Sequence, residues 1–126
     1  MVFSLIISAF IGGGIGAVLR YILISFFITR FTFPVSTMSV NILGSIIAGI
    51  FVAIFSHFEL SEEIKTLILT GILGGFTTFS AFSIDSVKLL ETGKIFEAGI
   101  YILGSLIISF VGFLLFFKIA KIIIES

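Results

Sequence analysis

Four apolar segments occupy almost the whole of this sequence, and they constrain the fold more than any other feature. Judged by the positions of the charged residues, they span roughly residues 3–28, 34–57, 62–90 and 95–119. Each exceeds the ~20 residues that an α-helix needs to cross a bilayer. The breaks between them are short and leave no room for a soluble domain. The pattern predicts an all-α membrane protein, with one transmembrane domain over residues 1–126 and four transmembrane helices.

The composition supports this class and excludes several others. The chain is 59% hydrophobic and only 11% charged, which is typical of a membrane protein. Its formal net charge is zero and it has no run of Lys or Arg, so we predict no nucleic-acid partner. With no cysteine and one histidine, His57, the sequence supplies neither a disulfide nor the residues of a metalloenzyme or an activated nucleophile. We therefore predict that the protein is not an enzyme.

The third apolar segment contains a stretch, residues 71–83, that does not suit an uninterrupted helix. Gly74 and Gly75 lower helix propensity, and the hydroxyls of the threonines that follow compete for backbone hydrogen bonds. We expect the third helix to be broken at mid-membrane, near residues 74–78. In a bilayer such a break needs protein or water to take up the freed backbone groups. The freed carbonyls suit a small cation, and the amides near Phe79 suit an anion.

Polar side chains in the second and fourth segments mark further candidate sites. Asn41 is placed either to form an interhelical hydrogen bond or to donate to an anion. Tyr101, Ser105 and Ser109 follow one another at four-residue spacing, which makes one polar stripe on a helix. A single hydroxyl can bond back to its own helix, whereas three in register are typical of a pore lining.

Two aromatic residues and one arginine add to this set, each with two interpretations. Phe79 and Phe82 lie three residues apart and share one helical face. Their rings either pack against neighbours or turn their positive edges towards a small anion. Arg20, late in the first segment, either snorkels to the membrane interface or lines an aqueous vestibule that attracts anions.

The glycines of the first segment predict close helix packing. The sequence matches G-x-G-x-x-A formally, but it lacks the preceding strand and the later acidic residue that a dinucleotide site requires. We interpret Gly12 with Gly16, or Gly13 with Ala17, as small residues that let another helix approach closely.

The basic residues give little preference for one orientation in the membrane. If the four segments alternate, three basic residues fall on each side: Lys65, Lys118 and Lys121 on one, Arg30, Lys88 and Lys94 on the other. The positive-inside rule then has little to act on, and the chain can insert both ways and pair as an antiparallel dimer. The alternative is a single orientation set by one dominant charge such as Arg20.

Three motifs together resemble a known family, the fluoride channels called Fluc or CrcB. They are Gly13-x-x-Gly16-Ala17-x-x-Arg20-Tyr21 in the first segment, Asn41 in the second, and Gly74-Gly75-Phe76-Thr77-Thr78-Phe79-Ser80-Ala81-Phe82-Ser83 in the third. The resemblance covers essentially the whole chain, and the third motif is highly specific. It departs at Ala81, where family members usually carry a hydroxyl residue, so one hydrogen bond of the pathway is either absent or supplied by Ser80.

The resemblance implies an antiparallel, dual-topology homodimer in a lipid membrane, with two fluoride pathways built from both subunits. It implies that the backbone carbonyls of Gly74 and Thr77 hold a structural sodium ion (Na+) at the dimer centre. It also assigns to the fluoride pathway Asn41, Phe79, Phe82, Tyr101, Ser105 and Ser109. We add Arg20 and Ser80 as candidate pathway residues.

The expected function is passive, selective export of fluoride from the cytoplasm across the cell membrane, which lowers its toxic concentration. The alternative is a small dual-topology multidrug or cation antiporter. Such a transporter needs a carboxylate inside the membrane. No Asp or Glu precedes Glu59, and Asp85 and Glu97 lie towards the ends of their segments, which disfavours the antiporter.

Overall fold

The computed structural model describes residues 2–27 and 33–126, and these residues form helices joined by short turns. The helices are α1 (Val2–Phe27), α2 (Val35–His57), α3 (Glu62–Lys65), a π-helical segment (Thr66–Leu73), α4 (Gly74–Phe76), α5 (Phe79–Glu91) and α6 (Ile95–Glu125). The predicted end of the first segment at residue 28, and Arg30 of the charge count, lie outside the described residues.

The described chain contains four helical stretches long and apolar enough to cross a membrane, as predicted. They run over Val2–Phe26, Val35–His57, Glu62–Glu91 and Ile95–Glu125. The last one continues past the predicted end at residue 119. The mid-membrane position of a break in the third stretch, and the antiparallel dimer, stay predictions.

Local sequence explains several of the helix ends. Pro34 precedes α2, where its lack of an amide hydrogen costs nothing. The Ser61 side chain caps α3 by accepting from the amide of Ile64, at 3.3 Å. After α5, Gly93 has a φ of 78°, which is easy for glycine alone, and the Lys94 amide donates to the Leu89 carbonyl at 2.8 Å. This is a Schellman termination, and it turns the chain from α5 into α6.

The helices pack in two main groups. In one, α1 packs against the π-helical segment and α4; in the other, α2 packs along α6. The first of these contacts depends on glycines, because the helices approach too closely for a side chain to fit between them. A Cβ added to Gly71 would lie 2.7 Å from the Gly12 Cα, and one added to Gly16 would lie 2.8 Å from the Phe76 amide nitrogen. A Cβ added to Gly75 would lie 2.6 Å from the Gly13 carbonyl oxygen. The small residues of α1 therefore permit the close helix approach that the sequence predicts.

The most deeply buried side chains lie on the other contact. Val40 of α2 and Tyr101 of α6 are fully buried, and Tyr101 forms a cluster with Phe82, Leu89 and Ala98. This cluster fixes the position of α5 against α6, and with it the residues that follow α4.

Candidate ion pathway

Two residues between α4 and α5 leave the helical conformation. Thr77 has φ −81° and ψ 152°, and Thr78 has φ −146° and ψ 116°, both extended. Gly74, Gly75 and the hydroxyl-bearing residues after them are the sequence signals for this geometry. Backbone groups around these two threonines must therefore find partners other than the usual helical ones.

Asn41 of α2 supplies partners for both backbone groups of Thr78. The Thr78 amide donates to Asn41 Oδ1 at 2.7 Å, and Asn41 Nδ2 donates to the Thr78 carbonyl at 3.0 Å. The side chain thus makes the interhelical hydrogen bonds that formed one of its two sequence interpretations. Its amide group has two hydrogens, so one remains beyond the bond to Thr78.

The Thr78 side chain begins the next helix. Its Oγ1 accepts from the amide of Ala81 at 3.0 Å and lies 3.2 Å from the hydroxyl of Ser80. This is an ordinary N-cap, with a β-region residue just before α5. Ser80 is therefore in contact with the interruption, and its hydroxyl is engaged with that of Thr78.

These contacts redirect the amides that a continuous helix would use. The donor four residues after Gly74 is the Thr78 amide, which goes to Asn41 instead. The donor four residues after Thr77 is the Ala81 amide, which goes to the Thr78 hydroxyl. The carbonyls of Gly74 and Thr77 thus lose their regular helical donors, since each helical bond runs between residues four apart.

Arg20 contacts the same region from α1. Its Nε donates to the carbonyl of Gly75 at 3.0 Å, and the side chain is half-buried. The Gly75 carbonyl belongs to the short helix α4, and it thereby acquires a charged donor. The snorkelling and vestibule roles considered for Arg20 stay predictions.

A groove of about 540 Å³ runs beside the interruption, between α2, α5 and α6. It collects five of the residues predicted for the pathway and several that the prediction missed. Its lining consists of Asn41, Ser45, Thr77, Thr78, Phe79, Phe82, Ser105, Leu106, Ser109, Phe110 and Phe113. Arg20, Ser80 and Tyr101 are outside this lining. None of the lining side chains carries a charge.

The aromatic residues form a chain that leads out of the groove. The Phe79 and Phe82 ring centroids are 5.4 Å apart with planes at 46°, and the Phe82 and Tyr101 centroids are 5.3 Å apart. Phe33 meets Tyr101 edge to face at 5.6 Å. Phe82 is buried, whereas Phe79 is 73% exposed in the single chain. One ring of the predicted pair is therefore fixed by the core and the other projects from the surface.

The polar stripe of α6 divides into two parts. The Tyr101 hydroxyl donates to Asp85 Oδ2 at 3.1 Å, across the turn between α5 and α6. In contrast, the buried hydroxyls of Ser105 and Ser109 have no hydrogen-bond partner among the described residues. Ser105 is only 4% exposed, so a free hydroxyl there is costly unless something that enters the groove binds it.

The missed lining residues follow simple spacings. Ser45 is one turn after Asn41 on α2, and Phe113 is one turn after Ser109 on α6, so each continues a stripe already recognised. The Tyr101–Asp85 bond had no such signal, because the two residues belong to different helices. Within the described ranges no three His, Cys, Asp or Glu residues lie together as a metal site would require. Backbone and hydroxyl oxygens near the interruption are the candidate ligands for a cation.

Comparison with known proteins decides the family. Residues 7–117 match the family model described as CrcB-like protein, Camphor Resistance (CrcB). This chain belongs to the CrcB family. The matched range contains every residue predicted for the pathway, and the CrcB chain is a multi-pass membrane protein with four membrane-length helices.

Several relatives share the name fluoride-specific ion channel FluC. One from Roseobacter denitrificans is 46% identical over 114 residues, covering 86% of this chain and 88% of its own length. Another from Phocaeicola vulgatus is 43% identical over 108 residues, covering 84% and 89%. A third, from Rhizobium johnstonii, is 43% identical over 97 residues, covering 75% and 78%. The CrcB chain is thus similar to these channels over most of its length.

Proposed function

We propose that this CrcB chain is a fluoride-selective channel that lets fluoride leave the cytoplasm passively. The observation that carries the proposal is the groove beside Thr77 and Thr78. It is lined by aromatic rings, an amide and two hydroxyls that have no partner in the described part of the chain, and none of its lining side chains is charged. The names of the relatives point to the same ion. No observation favours the antiporter.

The groove chemistry suits a small, strongly hydrated anion. Fluoride must exchange water for close donors, and the Ser105 and Ser109 hydroxyls and the second Asn41 amide hydrogen are donors of this kind. The edges of the Phe79 and Phe82 rings carry partial positive charge and add attraction. Because no lining side chain is cationic, the anion is stabilised but not trapped, as conduction requires.

Direction follows from the membrane potential alone. Hydrogen fluoride is neutral, enters cells from acid surroundings and dissociates in the cytoplasm. The plasma membrane, negative inside, then drives the anion outward at about 2.3 kcal/mol per charge for each 100 mV. An open pore needs no further energy source, and its effect is to lower the toxic cytoplasmic concentration.

The working form in this proposal is an antiparallel homodimer. Residues bordering the groove project from the single chain: Phe79 is 73% exposed and Phe110 68% exposed. A second, inverted copy would cover them and close the pathway. The balanced distribution of basic residues agrees with insertion in both orientations. The remaining apolar surface, which includes Phe10 of α1, would face membrane lipid.

A structural sodium ion at the dimer centre completes the proposal. The residues present fit it, because the Gly74 and Thr77 carbonyls have lost their regular helical donors and Gly74 is exposed on the single chain. Backbone oxygens are suitable ligands for a hard cation. When bound, the ion would neutralise the partial negative charge of these carbonyl oxygens. The protein's contribution is to hold these two carbonyls free.

The function is tested by fluoride release from liposomes loaded with potassium fluoride, with valinomycin added to balance charge. We expect rapid fluoride release without any proton gradient, and far slower chloride release from matched liposomes. Release that requires an imposed proton gradient would support coupled transport instead. The proposal would be contradicted if fluoride left these liposomes no faster than it leaves fluoride-loaded liposomes without protein.

Dual topology has a separate test, because the natural sequence has no cysteine. Ser126→Cys places one thiol at the end of α6. In sealed vesicles an impermeant maleimide should label about half of the chains, and the remainder only after detergent is added. Labelling that is complete from one side, or absent until lysis, would show a single orientation.

A further inference from the structure

We infer that Asn41 positions the proposed sodium site in addition to lining the groove, so that the fluoride pathway and the cation site share one side chain. The inference rests on the function proposed above and adds to it a residue that acts on the cation without touching it. It starts from the paired hydrogen bonds between Asn41 and the backbone of Thr78.

These two bonds hold Thr78 in its extended conformation. Oδ1 accepts from the Thr78 amide at 2.7 Å, and Nδ2 donates to the Thr78 carbonyl at 3.0 Å. Thr78 is only 7% exposed, so water cannot readily replace either bond. Inside a membrane protein, unsatisfied backbone groups of this kind are strongly unfavourable.

Removal of the Asn41 amide would leave the Thr78 amide one local way to regain a partner. It would close a helical turn on the carbonyl of Gly74, four residues earlier. That bond would consume one of the two carbonyls proposed for sodium. By accepting a hydrogen bond from the Thr78 amide, Asn41 therefore keeps that amide from binding the Gly74 carbonyl, which stays available for sodium.

The same side chain faces the groove. Asn41 is part of the lining, beside Phe79 and Phe82, and retains one amide hydrogen for an anion. Any movement of Asn41 towards an anion is transmitted to Thr78 through the paired bonds. Because coupling between two binding sites is reciprocal, sodium should alter fluoride affinity by the same factor as fluoride alters sodium affinity.

The test measures sodium binding without relying on transport. Purified full-length protein is unfolded thermally in sodium chloride and in N-methyl-D-glucamine chloride at equal ionic strength, across a series of sodium concentrations. A ligand that binds only the folded state raises the unfolding temperature as its concentration increases. The variants are Asn41→Leu, which keeps approximate size, and Asn41→Ser, a milder change in case the first does not fold. The control is Ser56→Ala, on the same helix but outside the groove lining, where the hydroxyl donates to the Ala53 carbonyl.

We expect the apparent sodium affinity to fall on the order of tenfold or more in both Asn41 variants, since two hydrogen bonds are lost, and to stay at the wild-type value in Ser56→Ala. A purely structural role would lower the unfolding temperature equally with and without sodium. That result, or wild-type sodium dependence in either folded variant, would overturn the inference. If the wild type itself shows no sodium dependence, the proposed cation site fails and the inference fails with it. Fluoride release by the wild type remains an independent test of the channel function.

Discussion

Two faces of the third membrane stretch differ in how completely they are filled. Towards α1, the π-helical segment and α4 approach so closely that Gly12, Gly16 and Gly71 have no space for a side chain. Towards α2 and α6, the residues after α4 border a groove of about 540 Å³. The same short stretch of chain is therefore anchored by backbone contact on one side and left open to a ligand on the other.

The serine hydroxyls of α5 and α6 show a similar difference, since those of α5 are hydrogen-bonded and two of those on α6 bond to no residue that the structure describes. Ser83 and Ser86 of α5 each donate to the carbonyl four residues earlier, at 3.0 and 2.8 Å, which is the usual outcome in a membrane helix. Ser105 and Ser109 do not, although they are buried. A hydroxyl that does not bond back is available to an ion. Close packing thus stabilises the fold, whereas buried hydroxyls without hydrogen-bond partners among the described residues mark the proposed pathway.

The largest effect on stability is expected from a substitution that disrupts the close packing of α1 against the third membrane stretch. Gly16→Val would place a side chain against the backbone of Ile72 and Phe76, which cannot move aside without shifting the interruption. We expect a loss of about 3 kcal/mol in the free energy of unfolding, or failure to fold. Thermal unfolding in detergent measures it. Gly14→Val is the matched control, since no atom lies within 4 Å of an added Cβ there, and its change should stay within about 1 kcal/mol. Equal losses in both would mean that close approach is not the cause.

A smaller effect is expected in the groove from Phe82→Ile. The substitution removes the ring that packs between Phe79 and Tyr101 in tilted contacts. Because the favourable ring edge is lost, fluoride release should fall by about tenfold, equivalent to ~1.4 kcal/mol. Phe55→Ile is the control, because Phe55 pairs with Phe51 outside the groove lining. An unchanged rate per folded Phe82→Ile protein would remove this ring from the pathway.

The smallest effect separates the two kinds of hydroxyl. Ser105→Ala should lower fluoride release roughly threefold, as one donor is lost, while stability stays constant or rises by about 1 kcal/mol because an unsatisfied buried group disappears. Ser86→Ala should do the opposite, with unchanged release and slightly lower stability, since its hydroxyl bonds to the Phe82 carbonyl. Release and thermal unfolding, measured on the same preparations, decide between them. Reversed outcomes would contradict the distinction between bonded and free hydroxyls.

Much of the architecture was predictable from local sequence. Apolar run lengths give the four membrane-length helices, and Gly74 and Gly75 with the following threonines indicate where regular helix becomes unfavourable. Four-residue spacing places Ser105 and Ser109 on one face of α6, and both line the groove. These features depend on residues close together in the chain, so a single sequence contains the information.

The partners of the polar side chains were not predictable in the same way. Asn41 and Thr78 are 37 residues apart, and Arg20 and Gly75 are 55 apart. Either polar side chain could have bonded to its own surroundings or to another helix.

The sequence by itself determined that the chain spans the membrane with four apolar helices and which family it resembles. The tertiary structure alone decided that Asn41 holds Thr78, that Arg20 meets the Gly75 carbonyl, and that the Ser105 and Ser109 hydroxyls have no partner within residues 2–27 and 33–126. The physical reason is that helix formation depends on neighbouring residues, whereas these contacts depend on how glycine-rich and apolar faces bring distant helices together.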